Sequence, residues 1–78
     1  MEIVSFKSIP ENYEKEFSGR KRNTLREMDI YDRRYELLKK WTPETTMLVE
    51  IVNTDNGHKF RREITDVTFW KGWTLISW

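Results

Sequence analysis

Cysteine is absent from the 78-residue sequence, so neither a disulfide framework nor a thiolate zinc site is available, and an intracellular setting is the simpler expectation. Histidine occurs once. His58 has no second histidine or cysteine at ligand spacing and reads as a strand-start residue, so no metal and no cofactor are expected. Long apolar runs are also missing: nothing approaches the roughly 20 residues a membrane helix needs, and no charged-then-apolar leader precedes a cleavage site. The expectation is a cytoplasmic chain with no membrane partner. With three glycines and two prolines, the collagen-like and low-complexity classes are excluded. Neither charge sign dominates, 14 basic residues standing against 13 acidic ones for a net charge of +1, so the molecule is no histone-like polycation.

What is present is a near balance of hydrophobic (37%) and charged (35%) residues, the composition of a globular fold with a thin core and a heavily solvated surface. Four Trp, three Tyr and four Phe supply much of the area to be buried. The length suits one domain over 1–78, because a second core could not be built from the remainder. A core of this size yields roughly 3–5 kcal/mol of net stability, so a self-association surface would be in keeping. A homodimer through the edge of the C-terminal strand is one form it could take.

Glu2 to Lys7 alternates and is β-branched and aromatic, which predicts a first strand. Ser8-Ile9-Pro10-Glu11 has the spacing of a capping box, opening a helix with Ile9, Tyr13 and Phe17 on one apolar stripe and a Glu11–Lys15 pair on the other side. Gly19 sits where a left-handed cap would end it. Asn23 to Arg26 can be extended. Asp29 and Asp32 read as the acidic start of a second helix carrying Tyr31, Tyr35, Leu38 and Trp41, stopped by Pro43. The period then changes to two: Thr46–Val52, an Asp55-Asn56-Gly57 turn, His58–Ile64, Val67–Trp70, a Lys71-Gly72 turn and Trp73–Trp78 make a meander of about four strands. The expected fold class is α+β, a strongly bent sheet or small open β-barrel of five to six strands with two short helices at its edge.

Between Gly19 and Arg26 lie four basic residues and no acid, which marks the functional side. A strand and short helix followed by Gly19-Arg20-Lys21-Arg22-Asn23-Thr24-Leu25-Arg26 resembles the ASCH domains of the PUA-like superfamily. Their signature places Gly, Lys and Arg where Gly19, Lys21 and Arg26 stand. The signature's Glu position is held by Thr24, a variant similar to small bacterial ASCH enzymes that hydrolyse N4-acetylcytidine. The resemblance implies a PUA-like fold and, for an enzyme, Thr24 as nucleophile with Lys21 as its base. A threonine hydroxyl needs such a base, and crowding by Arg20, Arg22 and Arg26 would disfavour a protonated Lys21. In an unbroken strand the two side chains would point to opposite faces, so they meet only if Lys21 lies in the preceding turn. The enzymes also use a Glu from a helix between later strands; here Lys71-Gly72 closes that connection, and Glu50, Glu63 and Asp66 are the remaining carboxylates.

Three functions follow. The first is a module binding RNA or a modified nucleoside through Arg20, Lys21, Arg22, Thr24 and Arg26, with Phe60, Trp70, Trp73 or Trp78 as stacking platforms and Lys59, Arg61 and Arg62 widening the phosphate track. The second is the hydrolase. The third is a compact protein of the sort carried by phages, binding a host protein through an aromatic surface.

Overall fold

Six strands and two helices alternate along the computed structural model, which describes residues 1–78. The order is β1 (Glu2–Ser8), α1 (Pro10–Phe17), β2 (Asn23–Glu27), α2 (Arg33–Lys39), β3 (Met47–Asn53), β4 (Lys59–Glu63), β5 (Asp66–Trp70) and β6 (Trp73–Ser77). The class is α+β, as composition and periodicity predict. The strands form two separate sheets that do not close into a barrel, in the orders β1-β3-β4 and β2-β6-β5. No helix is long and apolar enough to cross a membrane.

The late strands are therefore not one meander. Each tight turn pairs only its own two strands, and between the hairpins the chain changes sheets. The Ile64 N–H donates to the Met47 carbonyl in the first sheet, while the next N–H, of Thr65, donates to Ser77 in the second. β1 runs parallel to β3, which requires the crossover through α1, β2 and α2. β6 lies between β2 and β5, so the C-terminal strand has no free edge through which a dimer could form.

Register aligns Val4 with Val49 and Phe6 with Ile51, and Ile51 in turn with Phe60. One face of the first sheet thus becomes a continuous apolar surface, covered by Tyr13 of α1, Leu38 of α2 and Ile76 of β6. The glycine-dependent turns form as read from sequence. Gly19 (φ 83°) ends the first helical segment, Gly57 (φ 76°) closes one hairpin, and Lys71 (φ 46°) with Gly72 (φ 83°) makes a two-residue turn with both central residues left-handed.

Helix starts differ from expectation. The N-cap of α1 is Ile9, without a side-chain cap, because Ser8 remains in β1 and its hydroxyl is engaged elsewhere; Pro10 takes the first helical position. The Glu11–Lys15 pair forms at 3.7 Å, but only Tyr13 of the predicted stripe is buried, Ile9 and Phe17 staying exposed. The second residue that α1 buries is Glu16. For α2, Asp32 is the N-cap and accepts from the Arg34 N–H at 2.9 Å. That start leaves Tyr31 outside the helix and exposed, and the helix stops at Lys39, before Trp41 and Pro43 are reached.

β1 is an edge strand, and its outward carbonyls are closed by two arginines. Arg26 Nη1 donates to the Lys7 carbonyl at 2.8 Å and Arg34 Nη1 to the Ser5 carbonyl at 3.0 Å. Both guanidiniums lie over the buried Phe6 ring, at 5.0 and 4.6 Å from its centroid. Arg26 belongs to β2, so this contact joins the two sheets.

Candidate functional site

Gly19 reverses the chain after α1, and the Lys21 N–H donates back to the Lys15 carbonyl at 3.0 Å. β2 begins only at Asn23, so Lys21 lies in the turn and escapes strand alternation. Lys21, Thr24 and Arg26 consequently line one open cleft of about 260 Å3, together with Lys7 and Ser8 from the end of β1 and Asn12 and Glu16 from α1. The motif read from sequence thus converges in space.

Within that cleft Arg26 is the organising group. Its Nε donates to Thr24 Oγ1 at 2.9 Å and its Nη2 to Ser8 Oγ at 2.9 Å, besides the bond to Lys7. A guanidinium carries five N–H donors, so two remain for a ligand. Burial holds the Arg26 pKa below the ordinary arginine value; the negative charge of Glu16 opposes that shift, and the nearby Arg34 cation adds to it. Thr24 is buried and acts as an acceptor toward Arg26, which leaves its own hydroxyl proton free to donate.

The other basic residues separate. Arg22 lines a second, neighbouring cleft of about 340 Å3, with Phe17, Arg62 and Trp78, and Arg20 lines neither. Lys59 and Arg61 point to the other face of β4 and bind Glu50, at 3.9 and 2.8 Å. Ser5 also donates to Glu50, at 2.9 Å, and these bonds, that of Arg61 foremost, hold its carboxyl below the usual range. Glu50 is therefore a structural carboxylate of the first sheet. Asp66 accepts from Thr68 on β5, and Glu63 is exposed on β4; neither lines the cleft.

The carboxylate at the cleft is Glu16, which sequence reasoning passed over. It is 1% exposed, and its Oε1 has no hydrogen-bond partner. It also lines the second cleft, so it stands between the two. One signal was present: Glu16 falls seven residues after Ile9 and three after Tyr13, in the middle of the helix stripe reserved for apolar groups.

Comparison with protein-family models and with curated proteins finds no match.

Of the proposed stacking residues, Phe60 is buried and Trp78 packs against the core, its ring 6.2 Å from that of Phe60. Trp70 and Trp73 are exposed, paired across the β5–β6 turn. They lie with Leu25, Thr68 and Leu75 along a shallow apolar groove of about 300 Å3, on the face of the second sheet turned away from the core. His58 is exposed in the β3–β4 turn, where its backbone N–H donates to Asn56 Oδ1 at 2.9 Å.

Proposed function

We propose that the cleft between α1 and β2 binds a nucleobase, presented as a modified nucleoside or as an unstacked base of single-stranded RNA. The observation that carries this reading is the convergence of Lys21, Thr24 and Arg26 on one hollow whose wall also holds the Glu16 carboxylate. Donors of three kinds and an acceptor within one small cleft match a heterocycle that presents both carbonyl oxygens and N–H groups. The resemblance of Gly19 to Arg26 to the ASCH signature supports the same class of ligand. Arg22 and Arg62, on the neighbouring cleft, suit an adjoining phosphate.

Titration with single-stranded RNA and with N4-acetylcytidine at two salt concentrations tests it. RNA affinity should fall as salt rises and fall again in Arg22→Ala, while Lys21→Ala should weaken both ligands. Affinity indifferent to salt and to both substitutions would count against the reading.

The meeting of Lys21 and Thr24 in that cleft also favours a second reading, hydrolysis of an N-acylated base. Thr24 Oγ would attack the acyl carbon while an unprotonated Lys21 Nζ takes the hydroxyl proton. The C–N bond would then break, the amine leaving with that proton, and water would release the acid from Thr24. Incubation with N4-acetylcytidine should then yield cytidine. Turnover unaltered in both Lys21→Ala and Thr24→Ala would remove these residues from the chemistry.

A further inference from the structure

We infer that Glu16 sets the selectivity of the cleft by accepting an N–H from a ligand that also carries a carbonyl or ring-nitrogen acceptor. The inference rests on the nucleobase reading and narrows it to bases with an amino group beside an acceptor, as on the edge of cytosine.

The starting point is an energetic imbalance. A carboxylate removed from water without partners is among the costliest groups a small fold can hold, and native structures rarely retain one. Two other carboxylates drawn partly out of water are satisfied: Glu50 by Ser5 and Arg61, and Asp32 by three contacts from Arg34 in addition to its cap. Glu16 Oε1 has none. Arg26 feels the charge of Glu16 yet directs its bonds to Thr24, Lys7 and Ser8. A group meant only to neutralise Arg26 would receive one of those N–H bonds.

Position completes the case. Glu16 borders the cleft that Lys21 and Arg26 border, so the wall offers one anionic acceptor beside cationic donors. Uracil places a carbonyl oxygen where cytosine has its amino group, which sets two acceptors against each other. A base that donates to Glu16 and accepts from Lys21 or Arg26 satisfies both sides at once.

The experiment compares cytidine with N4,N4-dimethylcytidine, which keeps the ring and sugar but has no amino N–H, by calorimetric titration of the full chain. Wild type should prefer cytidine by about tenfold or more, the loss of one hydrogen bond to a charged group. Glu16→Leu should bring that ratio close to one, and Glu16→Gln should fall between. Lys21→Ala should weaken both nucleosides alike. Thermal unfolding of Glu16→Gln supplies a second readout: stability equal to or above wild type together with reduced selectivity supports the inference. A fall in stability with selectivity intact would assign Glu16 a purely structural role and overturn it, as would a wild type that does not distinguish the nucleosides. 2-Aminopyridine, an N–H donor beside a ring nitrogen with no sugar, separates the two readings. Binding of this probe that disappears in Glu16→Leu, with no nucleoside bound, keeps the role of Glu16 and ends the nucleobase reading; binding of neither ends both.

Discussion

The two sheets solve the burial problem differently. The first brings Val4, Phe6, Met47, Val49, Ile51 and Phe60 into the core, whereas the second contributes Ile76 as its apolar core residue, alongside the buried Thr24 and Thr74. The second also turns Leu25, Trp70 and Trp73 to the surface. Apolar burial thus holds the first sheet, while polar bonds from Arg26 attach the second to the edge of β1. The cleft lies along this attachment. Binding sites draw on the less stable parts of a fold, where polar groups keep unspent hydrogen-bonding capacity.

The largest effect should come from Ile51→Ala. Ile51 is fully buried, and truncation of such a side chain costs about 2–5 kcal/mol. In a domain of this size that is comparable with the whole net stability, so urea denaturation followed by circular dichroism should find the chain largely unfolded. A well-folded Ile51→Ala variant would break the contrast between the sheets.

Next is Arg26→Ala, which strips partners from Thr24, Ser8 and the Lys7 carbonyl. A loss of about 1–3 kcal/mol is expected. Lysine should not rescue it, since one ammonium cannot reproduce the fork that reaches three acceptors. Rescue by Arg26→Lys in the same denaturation assay would show that charge alone joins the sheets.

Acid should weaken the arginine-tied carboxylates by a smaller amount. Hydrogen bonds from Arg34 lower the Asp32 pKa below its ordinary 3.8, and those from Arg61 and Ser5 lower Glu50 below 4.5. A depressed carboxylate contributes stability that is present above the unfolded pKa and lost as pH falls through the folded one. The loss should therefore develop below about pH 4.5, and Glu50→Gln should flatten part of it. The partner arginines are partly solvated, so each pair contributes under about 1 kcal/mol. A stability curve for Glu50→Gln that parallels wild type through this range would exclude the Glu50 contribution.

Trp70→Ser should do least. Trp70 is 67% exposed, and substitutions at such positions change stability by about 0.5 kcal/mol or less. A cost near that of Ile51→Ala would mean that the outer face of the second sheet carries weight that its exposure conceals.

Most elements were legible in the sequence because their signals are local. Strand alternation, the Asp55-Asn56-Gly57 and Lys71-Gly72 turns and the reversal at Gly19 need only neighbouring residues. The meeting of Lys21, Thr24 and Arg26 followed from the same local logic once the lysine fell in the turn. Ser8 was misread because a serine before a proline suits a helix cap as well as a strand end; the decision came from Arg26, eighteen residues away, which claims its hydroxyl. Glu16 was passed over because helical periodicity assigns charged residues to water, and only the packing of α1 against the first sheet turns this one inward.

By itself the sequence determined the class of the fold, its turns and the basic motif, since each depends on backbone preference and side-chain period over a few residues. Tertiary structure alone decided how the strands divide between two sheets, which arginine joins them and which carboxylate enters the cleft. Those outcomes depend on hydrogen bonds and burial between segments distant in the chain, and no local pattern encodes which distant partner satisfies a given polar group.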